Sequence, residues 1–413
     1  MKFNKVALPM VVIGCLAVAS SGVFTAAAAP TSNTASAAGY LTRQLVDGDH
    51  LVNSFGPDYG LTADLAFALA AAGGQDGALA KVVGYLRAHV ADYADPAGTS
   101  SFPGPYSGAV GKLALLAEVS GQDPHSFGGF DLLATLTSHV CTAADQAGSC
   151  TAAGDFYQSF STVSQSLAVL ALARAGVTPP AAAVTRLGQL QCANGGFSST
   201  LLAPGDTCSS DPDTTSYALQ ALVLVPGNGA AVTAAVNFLA GAQQADGGYS
   251  GAAGENTNST GLAAQGLLAS GAAGQAGAIA AAQAFLLRLQ NPDGGFGIRA
   301  SSPASDVRST TQAVPALAGT TLATLLDQIV PVTPTPPTSS TPSKTPSRTP
   351  SHSPSRTATS SAASGVDAGS TSLPGPVLAA TGPRTGRPLG LAALLLLAGA
   401  ALLALTRLQH RRH

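Results

Sequence analysis

Three times along the chain a glutamine is followed by two residues, an Asn or Asp, two glycines and an aromatic ring. The copies are Gln191-Cys-Ala-Asn194-Gly195-Gly196-Phe197, Gln243-Gln-Ala-Asp246-Gly247-Gly248-Tyr249 and Gln290-Asn-Pro-Asp293-Gly294-Gly295-Phe296. Their glutamines stand 52 and 47 residues apart, the period of a two-helix repeat array rather than of a single-core domain. Paired glycines after a helix let the chain reverse through positive φ, and the ring that follows covers the end of the apolar stripe. The glutamine amide both donates and accepts, so it can satisfy orphan backbone groups at a helix end. The motif therefore reads as structural.

Two helical series fill the intervals. One opens on Ser or Thr, continues in Ala and Leu and ends on Gly: Thr62 to Gly73, Ser107 to Gly121, Thr162 to Gly176, Thr215 to Gly227, Ser259 to Gly271 and Thr310 to Gly319. The opening hydroxyls are expected at the N-caps and the glycines just past the C-termini. The other series carries bulky apolar residues at helical spacing: Tyr40-Leu41, Tyr85-Leu86, Leu132-Leu133, Leu187 with Leu190, Phe238-Leu239 and Phe285-Leu286. Two alternating series of six suggest a closed double ring, with a last helix expected from Thr320 to Val330.

Phe285-Leu-Leu-Arg-Leu-Gln290 and Phe238-Leu-Ala-Gly-Ala-Gln243, each running into its Gly-Gly-aromatic turn, resemble the repeat of squalene and terpenoid cyclases and of protein prenyltransferase β-subunits. The resemblance is strong over 181–319 and fades toward residue 38. It implies an all-α (α/α)6 toroid over 38–330, in which outer-helix glutamines tie neighbouring repeats and inner helices line a central cavity. The family's aromatic is often Trp; here it is Phe or Tyr.

The two ends point outside the cell. Residues 1–29 read as a secretory signal: Lys2 and Lys5, an apolar run from Val6 to Val18, and the small-residue stretch Ala26 to Ala29. Val12-Ile13-Gly14-Cys15 also fits a lipidation box. Residues 331–376 are rich in Pro, Thr and Ser and form an extended stalk with too little apolar surface to fold. Beyond it, Leu378-Ala379-Ala380-Thr381-Gly382, the uncharged span 389–405 and the basic tail to residue 413 resemble a sortase sorting signal. That resemblance implies sortase and peptidoglycan as partners, with the Thr381 carboxyl joined to the cell wall. A plain C-terminal transmembrane anchor is the alternative.

Of five cysteines, Cys15 leaves with the signal. Four in an exported domain favour disulfides, and of the three pairings the local one is expected: Cys141-Cys150 and Cys192-Cys208. No clustered Lys or Arg supports nucleic-acid binding.

Asp211-Pro-Asp213-Thr214 resembles the Asp-x-Asp-Asp segment that carries the protonating acid of squalene-hopene-type cyclases. The resemblance makes Asp213 the general acid, but Thr214 stands where the family places its third Asp. Asp213, Asn258 and Arg308 occupy matching positions before successive helices, so helix capping is the expected role of Asp213 and Asn258, with Asp211 and Asp213 only weak catalytic candidates. Asp206-Thr-Cys208 resembles half of a prenyltransferase zinc site, yet no His follows until His352, so neither metal nor cofactor is expected. A wall-displayed toroid binding an unknown small molecule or protein is the favoured function. The alternatives are an extracellular terpenoid cyclase or prenyltransferase-like enzyme using Asp213, and a binding toroid like the cobalamin carriers.

Overall fold

The computed structural model of the chain describes residues 31–100 and 103–325. The signal segment, the lipidation box at Cys15, the stalk, Leu378 to Gly382 and the span 389–405 lie outside the described residues. Among the described residues no helix is long and apolar enough to cross a membrane.

Outer and inner helices alternate. The outer set is α1 (Ser32–Arg43), α3 (Asp76–Ala88), α6 (Leu132–Ser138), α8 (Ala181–Gln189), α10 (Gly229–Ala242) and α12 (Ala276–Arg288). The inner set is α2 (Tyr59–Ala72), α5 (Ser107–Val119), α7 (Thr162–Arg174), α9 (Pro212–Leu222), α11 (Thr257–Ser270) and α13 (Val307–Leu317), with the short α4 (Val90–Ala94) after α3. Each inner helix packs on the next, and α13 packs back on α2, which closes the ring. Helices α5, α7 and α9 are buried almost throughout, as expected of elements enclosed on every side. Small residues of the inner helices permit the crowding: a Cβ on Gly261 would stand 2.4 Å from the Gln312 carbonyl oxygen on α13.

All six inner helices start at one face, the mouth, where antiparallel hairpins lead into four of them: β1–β2 (52–57), β3–β4 (197–211), β5–β6 (250–255) and β7–β8 (296–306). The opposite face, the floor, holds the inner-helix C-termini. There the described part of the expected helix, 320–325, is a turn in which the Thr324 and Leu325 N–H groups both bond the Thr321 carbonyl, and 326–330 lie outside the described residues. This segment crosses the floor: the Gln220 amide oxygen accepts from Leu322 N–H, and Arg174 donates to the carbonyls of Leu322 and Leu325. The first helix begins at Ser32, six residues ahead of the expected boundary at 38.

The glutamines do what the resemblance implies. Gln191 Nε2 donates to Gly195 O (2.8 Å) and to Ala231 O (2.9 Å) on α10. Gln243 joins Gly247 O and Ala278 O on α12, and Gln290 joins Gly294 O and Asn33 O on α1. The last tie spans 257 residues and links the final repeat to the first helix. The first glycine of each pair sits directly on the neighbouring helix: at Gly247 (φ 95°) a Cβ would stand 2.3 Å from Ala281 O. A fourth, disguised copy is Gly154-Asp155-Phe156. Its Phe156 is buried, its glycine faces Ala182 O, and its Asp155 pairs with Arg186 at 2.6 Å.

The capping expectation shifts by about one turn at α2, α9, α11 and α13 and by a single residue at α5 and α7. The caps are Asp58, Ser161, Asp211, Asn256 and Asp306, each accepting a backbone N–H from three residues on. Thr62, Thr215, Thr260 and Thr310 lie within the first helical turn. Each donates its hydroxyl to the cap residue's carbonyl, and each accepts a backbone N–H from the preceding segment: Leu51, Phe197, Tyr249 and Phe296 respectively. One hydroxyl thus fixes the aromatic of the turn against the inner helix it precedes. Thr260→Val keeps the shape but leaves the buried Tyr249 N–H unpaired, so chemical denaturation is expected to show a loss of about 1–3 kcal/mol. An unchanged midpoint would contradict this role.

Candidate functional site

Equivalent positions on the inner helices bring residues from distant repeats to one level of the mouth. The second residue of each is Gly60, Gly108, Val163, Asp213, Asn258 and Arg308 in chain order. The last three form a contiguous polar arc on α9, α11 and α13, facing two glycines and a valine.

Asp213 is not the cap. Asp211 caps α9, accepting from the Thr214 N–H (2.8 Å) and the Thr214 hydroxyl (2.7 Å). Asp213 lies one residue inside the helix, fully buried beneath hairpin β5–β6, where Gly251 stands against its carboxyl group. Its Oδ2 accepts from Asn258 Nδ2 at 3.2 Å, while Oδ1 is buried with no hydrogen-bond partner. Burial first, and the Asp211 charge second, push its carboxyl up to about 7, against the pull of the Ser259 and Asn258 side chains. A carboxylic acid that keeps its proton near neutrality can donate a hydrogen bond, which an ionised one cannot. The tie to Asn258 also joins α9 to α11.

One turn deeper on the same helix face stands Tyr217. Its hydroxyl lies within electrostatic reach of Asp64 on α2, Lys112 on α5, Asp213 and Arg308, and burial raises its pKa well above the ordinary phenol range. Lys112 Nζ meets Asp64 Oδ1 at 2.8 Å, both side chains being less than one-tenth exposed. Burial opposes the Lys112 charge, but Asp64, Tyr93 and Tyr217 outweigh it and hold its pKa above the ordinary lysine range. The interior of the inner ring therefore contains a polar cluster drawn from four inner helices. Lys112, Asp64 and Tyr217 escaped the sequence reading because no motif contains them. The one available signal was a charged residue inside an otherwise apolar Ala/Leu helix, at Lys112 and at Asp64.

Other expected residues are placed as follows. The disulfides are Cys141–Cys150 and Cys192–Cys208, separated by 9 and 16 residues, both in mouth loops. Asp206 accepts the Ala203 N–H within its loop, and its neighbour Cys208 is in a disulfide. Among the described residues no group of three His, Cys, Asp or Glu side chains could hold a metal.

Lys112→Met would leave Asp64 buried without its counter-charge, with an expected stability loss of about 3–5 kcal/mol that adding Asp64→Leu largely restores. A double variant as unstable as the single one would argue against the pair. The raised Asp213 carboxyl has its own signature. Its neutral form stabilises the fold fully below the unfolded value near 4, and this contribution is lost as pH rises through about 7. Urea denaturation across that window should show declining stability in the wild type and a flatter profile in Asp213→Asn; parallel profiles would contradict the assignment.

No family model matches the chain, and no curated protein matches it. Solved structures do. A type II terpene cyclase, MstE from Scytonema, matches at TM-score 0.52 with 16% identity, covering 71% of this chain and 98% of that one. A protein from Actinoplanes matches at TM-score 0.51 with 18% identity over 70% of this chain and 98% of that one. Haptocorrin in complex with Cbi aligns at TM-score 0.45 and 14% identity, covering 71% of this chain and 68% of that one, a likeness too weak to carry an argument. At these identities the likeness concerns architecture alone: the described region has a terpenoid-cyclase-like helical fold.

Proposed function

We propose that this is an exported, wall-anchored protein whose ring binds a small molecule or a partner without converting it. The Lys112–Asp64 pair beside Tyr217 is the observation that carries this reading. Cyclisation of a terpenoid passes positive charge through the ring interior, and aromatic faces stabilise such charge. The inner helices carry three aromatic residues, Tyr59, Phe67 and Tyr217, and a buried ammonium stands next to the last. An ion pair and a phenol held there give the interior a polar rather than an aromatic lining, which favours a ligand with hydrogen-bonding groups.

Display is supported by the path of the chain. Residue 325 ends on the floor, opposite the hairpins, so a stalk running from 331 to an anchor at Thr381 would present the mouth away from the wall. The alternative, an acid-initiated cyclase using Asp213, is favoured by one observation, the buried carboxyl held neutral near pH 7 with a free oxygen. Against it, Asp211 is committed to the helix cap and Thr214 supplies no third carboxylate. Binding toroids like the cobalamin carriers remain within the proposed class.

Two measurements on protein from its natural host test the proposal. Native mass spectrometry should find a small molecule retained by the ring, and incubation with prenyl and triterpenoid substrates should give no product. Turnover that disappears in Asp213→Asn would establish the cyclase instead. Full-length protein should be freed from cells by wall-degrading enzymes; release by detergent alone would contradict the sorting signal.

A further inference from the structure

We propose that the crevice beside the Cys141–Cys150 disulfide is a binding site for a single sugar ring, recognised through its hydroxyl groups. It is separate from the ring interior, since none of its lining residues belongs to an inner helix, and it would stand whatever the interior holds.

The crevice opens between the end of α6 and the loop that leads to α7. It encloses about 240 Å3, and its polar lining is Ser138, His139, Thr142, Asp145 and Tyr157. Drug-sized ligands occupy ~300–1,000 Å3, so this volume suits one small ring. The walls are set before any ligand arrives. The disulfide joins two of them, Asp145 and Cys150 exchange backbone hydrogen bonds at 3.0 and 2.8 Å, and the Tyr157 N–H bonds His139 O at 2.9 Å. The Tyr157 ring rests on Gly148, where a Cβ would stand 2.5 Å from Cε2. Among the described residues five that are not glycine have positive φ, and three of them, Ser149, Gln158 and Phe160, fall in this stretch. Such residues persist only where the surroundings over-determine them, and they cluster at functional sites.

The groups left open match a sugar. The Thr135 carbonyl can only accept, so its 2.9 Å contact puts the His139 proton on Nδ1. In the neutral imidazole Nε2 is then an open acceptor. Asp145 Oδ1 takes the Ala147 N–H at 3.0 Å, which leaves Oδ2 to a ligand. The Tyr157 and Thr142 hydroxyls make no hydrogen bond among the described residues and can both donate and accept. Acceptors and hydroxyls side by side suit a ligand whose own hydroxyls play both parts. No Lys or Arg lines the crevice, and the Asp145 carboxylate disfavours an anion. An ammonium would use the acceptors and leave the two hydroxyls unused; an apolar ring would displace water from all of them without replacing its hydrogen bonds. The His139 and Tyr157 rings, 6.0 Å apart and inclined at 64°, supply apolar surface for the C–H groups of a sugar.

Saturation-transfer NMR on the full-length protein tests this with glucose, mannose and N-acetylglucosamine, and with cyclohexanol and ethylammonium as competitors of the wrong chemistry. At least one sugar should bind more tightly than either competitor, its ring C–H protons receiving the strongest transfer. Tyr157→Phe keeps the ring and loses the hydroxyl, and should weaken that binding about 2- to 10-fold. Asp145→Asn keeps an oxygen for the Ala147 N–H while removing the charge, and should weaken it at least ~10-fold. Thermal unfolding of each variant establishes that it is folded. Transfer to none of the three sugars, preference for cyclohexanol or ethylammonium, or sugar binding unchanged in both variants would overturn the proposal.

Discussion

The architecture depends on one recurring junction, in which a glutamine amide bridges its own turn to the next outer helix. Each Nε2 donates to two carbonyls, one local and one on the neighbouring repeat. The glycine between them has no side chain because the neighbour's backbone occupies that space. Close approach, turn geometry and hydrogen bonding are thus satisfied together, and alteration of any one disturbs the other two. At Gln290 the junction crosses from the last repeat to α1, where Asn33 returns a hydrogen bond to the glutamine Oε1 at 2.6 Å. Ring closure therefore uses the same contact as repeat stacking.

Closure creates the site. Asp64, Lys112, Tyr217 and Arg308 are spread over four repeats, and only a ring brings them to one interior. The small residues that let inner helices crowd together also leave the interior to these few large polar side chains. Such a cluster is costly to bury unless its charges are paired, and the Lys112–Asp64 contact provides that pairing.

Much of the fold was legible in the residues. The Gln and Gly-Gly-aromatic spacing located the repeats, and terminal glycines such as Gly271 (φ 61°) marked helix ends. Helix starts were misplaced because a threonine bonding back to the carbonyl four residues earlier looks, in sequence, like an N-cap. For the same reason Asp213 was grouped with the caps although Asp211 fills that role. The repeat copy at Gly154-Asp155-Phe156 was hidden because its glutamine comes from the following helix, where the Gln165 side chain accepts the Phe156 N–H. The Lys112–Asp64 pair was illegible because its members lie 48 residues apart, on different helices, with nothing local to link them. Asp213 and Asn258 did occupy matching repeat positions, but their mutual hydrogen bond depends on how the helices are packed.

The account stands or falls on whether the ring interior holds a neutral acid at Asp213. Infrared difference spectroscopy between acidic and alkaline pH, on wild type and Asp213→Asn, reads that state directly. The account predicts a protonated-carboxyl C=O band in the wild type that persists to about pH 7 and is missing from the variant. A spectrum with no such band, or one identical in both proteins, would show that Asp213 is an ordinary ionised side chain and that the polar arc at the mouth lacks the chemistry assigned to it.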